Sequence, residues 1–482
     1  MAQPRFVIIG AGMSGMLSVI KLVEAGFDDV VVYEKADRLG GTWRENTYPG
    51  VACDVPSQLY SFSFAPNPEW SHVFSPGAEI LAYMEDVADR YGLDERIRYE
   101  IEVTRLAFEE GRWQITTTQG TDVADVVIAA TGVLHHPAYP DIEGRDSFSG
   151  PAFHSARFDH DIDLEGARVG IIGTGSSAVQ MTAALVDQVG QLSLFQRTAQ
   201  WIMPAKNDPI DESDKDRYRQ DPAAMREVRQ QVYDSYTGHF GNGIIDAESP
   251  EAQMMHDMCV ANLERSIKDP ELKERLRPNY RAACKRLVLS PNFYRQIAKP
   301  NARLVTEPID RIEPAGVRTA DGELHELDVL VFATGFQVDR FLRPIEVIGR
   351  GGVDLDQRWA THPTAYLSVS VPDFPNLFML NGPNGPVGNF PLIEVAEVQF
   401  DYVMALIDEI ASGRCREVSA LPEVTEAFEV ERVEATKKTI WVTGCRSWYL
   451  DSNGVPAAWP WSFTRFCEVM AAPNLAHFEL RG

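Results

Sequence analysis

The chain is poor in cysteine, with six among 482 residues at Cys53, Cys259, Cys284, Cys415, Cys445 and Cys467. None of them forms a C-x-x-C pair. A disulfide framework is therefore not expected, and neither is the dithiol centre of a disulfide reductase. No metal site is expected either. Long apolar runs are also missing, so no segment is expected to span a bilayer. Positive charge is in deficit: 45 Lys and Arg face 70 Asp and Glu, for a net charge of -25. That balance argues against nucleic acid and against an anionic membrane surface, and it favours solubility. No leader segment is expected, because the first predicted strand begins at about Phe6. A reducing cytoplasm is the expected location. The apolar share, 44%, is that of an ordinary globular protein, and 482 residues predict two or three domains.

What the chain does have is a pair of glycine-rich loops. Phe6 to Ile9 leads into Gly10, Gly12, Ser14 and Gly15. Val169 to Ile172 leads into Gly173, Gly175, Ser176, Ser177 and Ala178. Each is a short apolar strand, a tight turn and an immediate helix. In such a unit the glycines let the backbone approach a pyrophosphate, and the helix N-terminus offers N–H groups. Gly10 and Gly173 lie 163 positions apart, as do Glu34 and Arg197, the residues that close the second strand of each unit. Glu34 is an acceptor suited to a free ribose 2′-hydroxyl. Arg197 is a cation suited to a 2′-phosphate. FAD in the first unit and NADPH in the second is the natural reading. The fold class is α/β, with two Rossmann-like dinucleotide-binding domains.

The predicted domains are an FAD-binding part over 1–145, an NADPH-binding part over 146–339 with a helical insertion at about 207–280, and a return to the FAD domain over 340–482. A β-meander is predicted between Tyr99 and Thr118. The Ala130-Thr131-Gly132 turn has a counterpart in Ala333-Thr334-Gly335, a further sign of duplication. Apolar positions Val395, Val398, Tyr402, Leu406 and Ile410 predict a half-buried helix that starts at the turn Gly388-Asn389-Phe390-Pro391. The charges of the insertion, such as Asp214, Lys215, Arg217 and Arg219, read as a solvated face.

Three local patterns fit redox chemistry with oxygen, which side chains alone cannot perform. The first is the loop Gly41 to Asp54, which could equally be a rigid turn capped by Asp54. The second is the linker Phe148 to Asp159, whose His154 reads as structural. The third is Lys285-Arg286 ahead of the apolar run Leu287 to Leu289, a strand end aimed at a cleft.

These patterns resemble the class B flavoprotein monooxygenases, and more narrowly the type I Baeyer–Villiger monooxygenases. Gly41 to Asp54 matches a family motif at every fixed position. Phe148, Gly150, His154 and Asp159 match the family fingerprint, but Phe158 stands where the family has Trp. Phe is closer to the flavin-containing monooxygenases that oxidise nitrogen and sulfur.

The resemblance implies conversion of a ketone to an ester or lactone through a C4a-peroxyflavin, with a small-molecule ketone and dioxygen as partners. It implies Arg286 and Asp54 as catalytic residues. Candidate FAD contacts are Gly10, Gly12, Ser14, Gly15, Glu34, Lys35, Gly41, Thr42, Trp43, Asp54, Tyr60, Val103 and Thr131. Candidate NADPH contacts are Gly173, Gly175, Ser176, Ser177, Ala178, Arg197, Thr198, Lys285 and Trp448. Ser447-Trp448-Tyr449 is similar to a mobile loop whose Trp folds over the nicotinamide nucleotide, with core packing as the other reading of Trp448. Alternative functions are a nitrogen or sulfur monooxygenase, an uncoupled NADPH oxidase and a non-catalytic nucleotide-binding protein. The oligomeric state stays open.

Overall fold

The computed structural model describes residues 3–388 and 390–482. Asn389, in the turn before the long helix, lies outside the described residues. Two five-stranded parallel sheets organise the chain. The first runs in the order Leu377–Met379, Val126–Ala129, Phe6–Ile9, Val30–Tyr33, Ile97–Arg98. The second runs Ala302–Val305, Gln191–Phe195, Arg168–Ile172, Val329–Phe332, Ala152–His154. The central strands are mostly apolar because both faces are covered.

The alternation of side chains shows what covers each face. Phe6, Ile8, Val30 and Val32 pack with the helices Met13–Glu24, Gly77–Tyr91 and Leu392–Ala411. Val7, Ile9 and Val31 pack instead with Leu106, Trp113 and Ile115 of the antiparallel meander Val103–Glu109, Arg112–Thr117, Gly120–Ala124. The second sheet repeats the plan. Val169 and Ile171 face the helix Ser176–Leu185 and the helical insertion, whereas Ile172 and Phe195 face a second meander, Ile309–Glu313, Gly316–Thr319, Leu324–Glu326.

The tightest point of each unit is its first glycine. Gly10 (φ 101°) and Gly173 (φ 126°) adopt left-handed backbone, and a Cβ on either would collide with the carbonyl oxygen that ends the neighbouring strand, Ala130 or Ala333. The two Ala-Thr-Gly turns thus occupy equivalent places.

The insertion comprises Glu212–Gln220, Pro222–Ser235, a π-helical turn Tyr236–Gly241, Asn242–Ile245, Pro250–Ser266 and Pro270–Arg275. Its capping is explicit: Asp221, Ser249 and Asp269 each accept a backbone N–H at a helix start followed by proline. Among the described residues no helix is long and apolar enough to cross a membrane, and no cluster of His, Cys, Asp and Glu could hold a metal.

The cysteines differ from expectation at one place. Cys284 and Cys445 form a disulfide across 161 positions of sequence, and the other four are free. Partners this far apart leave no local spacing pattern to read.

Candidate active site

The first loop and its motif residues converge. Glu34 is buried; its carboxylate accepts the backbone N–H of Ala11 at 2.8 Å and of Ala36 at 2.9 Å, and pairs with Arg44 at 3.2 Å. The free lone pairs of that carboxylate can still accept a hydroxyl. Gly41 (φ 50°) lies against Gly12, so that a Cβ on Gly41 would come within 3.1 Å of the Gly12 Cα. Two bare backbones at the start of the helix Met13–Glu24 leave room for a pyrophosphate.

Trp43, next to Thr42 in the short helix Thr42–Glu45, donates its indole N–H to Tyr60 at 3.1 Å. Lys35 contacts His135 at 3.4 Å, and the Thr131 hydroxyl donates to Phe341 O at 2.9 Å. The Val103 side chain is core, packed with Val7 and Val31. That leaves its main chain for any nucleotide contact. Beside it, Ile101 donates its N–H to Glu34 O and Glu100 to Ala36 O.

The turn after the strand Leu377–Met379 was not singled out in the sequence. Asn381 donates to the Ser14 hydroxyl at 3.3 Å, which ties this turn to the first glycine loop. Asn384 is 3% exposed, yet among the described residues neither polar atom of its side-chain amide finds a partner, and Asn381 Oδ1 is also unmet. Unmet amides buried at the carboxyl edge of a parallel sheet fit a polar ring system such as the flavin pyrimidine.

In the second unit, Gly175 precedes the helix Ser176–Leu185. Thr174 donates its hydroxyl to Thr198 O at 2.9 Å, which fixes the segment after Arg197 on the glycine loop. Ala178 is buried where the first loop needs Gly15. Arg197 makes no ion pair with a carboxylate among the described residues. It faces Lys285, whose pKa is lowered by burial and by the Arg197 charge. Lys285 also lies over the Tyr280 ring at 4.9 Å. Two converging cations without a counter-ion suit a phosphate.

The loop Tyr48 to Asp54 joins the two halves. The Tyr48 hydroxyl donates to Gln180 Oε1 at 2.8 Å, and Gln180 Nε2 donates to Ala52 O at 3.0 Å, both on the helix behind the second glycine loop. This dock carries Asp54 to Arg286. Arg286 Nη2 and Nε donate to Asp54 Oδ2 at 2.6 and 3.2 Å, and Nη1 donates to Gly388 O. Gln200 donates to the Arg286 carbonyl at 2.8 Å. Burial opposes the charge on Arg286, but Asp54 and the nearby phenols of Tyr449 and Tyr236 outweigh it, and the pKa is raised well above the ordinary value. The guanidinium is thus a permanent cation at the meeting of the Tyr48 to Asp54 loop and the Gly388 turn.

Trp448 is 40% exposed and lies 4.0 Å from the Tyr449 ring, so it is not a core residue. Tyr236, and Tyr449 as a neighbour of Arg286, were missed in the sequence. Tyr236 sits in a stretch dominated by charge, where Val232 and Tyr233 before it and Phe240 after it mark an apolar face. His154 is fully buried and structural: its Nε2 contacts Gly335 O at 3.0 Å, and its Nδ1 accepts from Ala156 N at 3.1 Å. Phe158 packs on Phe153 and His160, each at 5.1 Å, within the linker.

The family model for pyridine nucleotide-disulphide oxidoreductases matches residues 7–215. An uncharacterised monooxygenase of Mycobacterium tuberculosis is 43% identical over 99% of this chain and 96% of its own length. The Baeyer–Villiger monooxygenase of Streptomyces coelicolor is 38% identical over 99% of this chain and 92% of its own. The structure of cyclohexanone monooxygenase from Rhodococcus sp. Phi1 bound to NADP+ is similar at a TM-score of 0.88 and 29% identity, covering 99% of each chain. These relatives make the chain a class B flavoprotein monooxygenase, with FAD and NADPH as cofactors. Within that class, the chain belongs to the Baeyer–Villiger monooxygenase family.

Proposed function

We propose that Baeyer–Villiger oxygenation in this chain takes place at the Arg286–Asp54 pair and that its substrate is an uncharged, largely apolar ketone. One oxygen atom enters beside the carbonyl carbon to give an ester or lactone. Bound FAD, reduced by NADPH, supplies the oxygen activation. The chain's own work is to bind, orient and exclude water.

The observation that carries this reading is a half-buried, permanent cation held by the Asp54 carboxylate and the Gly388 carbonyl. A planar guanidinium there favours negative charge on oxygen during transfer and on the former carbonyl oxygen after attack. Asp54 keeps it from drifting. Supporting an apolar substrate, the surroundings are aromatic: Tyr236 with Phe240 at 5.1 Å, and Phe390 with Phe463 at 4.7 Å. Gly10 to Glu34 and Gly41 to Asp54 serve FAD. Gly173 to Ala178, Arg197, Thr198, Lys285 and Trp448 serve NADPH.

Oxidation of a sulfide by an electrophilic hydroperoxide needs no such anion, and this separates the Baeyer–Villiger reading from the nitrogen and sulfur monooxygenases. Arg286→Ala should keep the yellow cofactor and its reduction by NADPH, while ester formation falls at least about 100-fold, the scale seen when one oxyanion-stabilising donor is removed. Sulfide oxidation should survive better. Products from a small ketone panel and one sulfide, under NADPH and air, decide the matter; undiminished ketone turnover by the variant would refute the assignment.

A further inference from the structure

Arg286 has one more polar neighbour than the Asp54 pair explains. Tyr449 is 2% exposed, and its hydroxyl neighbours the Arg286 guanidinium. The same hydroxyl lies so close to Gly388 (φ 91°) that a Cβ at 388 would collide with it. Gly388 is also the residue whose carbonyl accepts from Arg286. Guanidinium, phenol and carbonyl therefore form one closed cluster, in which the Tyr449 ring fills the space a side chain at 388 would need.

The segment that carries Tyr449 is anchored independently. Cys445, four residues earlier, is bonded to Cys284, two residues before Arg286. The Tyr449 ring packs on Trp441 at 5.1 Å, and its carbonyl accepts from Ala457 N at 2.7 Å. Its other neighbour is the exposed Trp448 ring at 4.0 Å. Tyr449 thus stands between the residue assigned to the coenzyme and the residue assigned to oxygen transfer.

We propose that Tyr449 is a positioning residue: its hydroxyl and the Gly388 carbonyl hold the Arg286 guanidinium in the orientation that oxygen transfer requires, and its ring links that orientation to Trp448. This rests on Arg286 being the cation of the reaction. Asp54 grips one edge of the guanidinium through Nε and Nη2. With Tyr449 and Gly388 on the remaining side, rotation about the Asp54 contact is blocked. Without the hydroxyl, the cation keeps its charge but loses its aim.

The experiment uses the FAD-loaded full chain, NADPH, air and a ketone that the unmodified protein converts. Tyr449→Phe should bind FAD and be reduced by NADPH at nearly the original rate. Its ratio of ester to hydrogen peroxide should fall about 10- to 100-fold, the range for one lost hydrogen bond to a charged group. The fall should appear in kcat for the ketone rather than in KM. The acid limb of the pH profile for ester formation should move to higher pH, because a misaligned cation stabilises the developing anion less; a merely structural tyrosine would not move it. In an Arg286→Ala background, Tyr449→Phe should add nothing. Tyr449→His, which restores a polar tip on a ring, should recover part of the coupling.

Original coupling and an unshifted pH limb in Tyr449→Phe, or full additivity with Arg286→Ala, would overturn the proposal. If Arg286→Ala itself keeps ketone turnover, the reading of Arg286 fails first, and the two failures are told apart.

Discussion

At the scale of single residues, the contrast between Glu34 and Arg197 has a direct kinetic consequence. Among the described residues Arg197 and Lys285 converge without a counter-ion, and burial together with Arg197 already lowers the Lys285 pKa. A 2′-phosphate relieves that repulsion, and a bare ribose does not. NADPH should therefore be preferred. Arg197→Ala should raise the KM for NADPH by about 10- to 100-fold, corresponding to a lost charge-assisted contact of about 1.5–3 kcal/mol. NADH kinetics should hardly change. Steady-state rates with both coenzymes test this, and equal use of the two by the unmodified protein would refute it. Glu34 and Arg197 were legible in the sequence because a βαβ unit fixes how far the second strand lies from the glycine turn. Tyr449 and Gly388 were not: their contact joins segments far apart in sequence, and no local period encodes it. The same holds for Cys284 and Cys445, separated by 161 positions. Asn384 is a different case. It stands in a plain Gly-Pro-Asn-Gly-Pro turn, and only burial without a partner marks it.

At the scale of elements, the loop Tyr48 to Asp54 explains why one motif contains both a rigid turn and an acid. Tyr48 and Ala52 dock on Gln180, while Asp54 meets Arg286. The Tyr-Pro-Gly turn thus sets the position of the carboxylate relative to the second glycine loop. Gly50 (φ 83°) is the tight point, because a Cβ there would sit 2.7 Å from Gln180 O. Gly50→Ala should destabilise the protein by about 1–3 kcal/mol. It should also lower the yield of ester per NADPH consumed, since displacement of the loop moves Asp54. Denaturant unfolding and product-to-NADPH ratios check both halves. Unchanged coupling in a folded, destabilised variant would show that the dock does not govern the pair. The helix Leu392–Ala411 was predicted from five apolar positions; Val395, Tyr402 and Leu406 are buried, whereas Val398 and Ile410 are only partly so. The insertion was harder to read: its charged helices are indeed largely solvated, yet they end in the π-helical turn that brings Tyr236 near Arg286.

At the scale of the whole molecule, the two sheets are linked by two passages of chain that are bonded to each other. Pro137 bridges Phe336, Ala138 donates its N–H to Gly335 O, Gln337 to His136 O, and the Thr334 hydroxyl to Ala138 O at 2.6 Å. His154 closes this strap from the second sheet through Gly335 O. Its Nδ1 accepts the Ala156 N–H, so that nitrogen carries no proton, and Nε2 is left to donate. Burial then pushes the His154 pKa down to about 4, against an ordinary value of 6.5. The sign follows from linkage. The unfolded chain takes up a proton near pH 6.5, whereas the folded chain resists until about pH 4. Stability from this site is fully present above about pH 6.5, declines as pH falls through that window, and levels off below about pH 4. His154→Gln should cost about 0.5–1.5 kcal/mol at neutral pH through the altered hydrogen bonds, and it should flatten the slope of stability between those limits. Urea midpoints for both proteins from pH 7.5 to 4.5 measure the difference. Parallel slopes would mean that the neutral imidazole is not what ties the strap. Because the strap joins the two nucleotide units, the acid loss of stability should be preceded by a loss of coupling, read as more hydrogen peroxide per NADPH before any unfolding is seen.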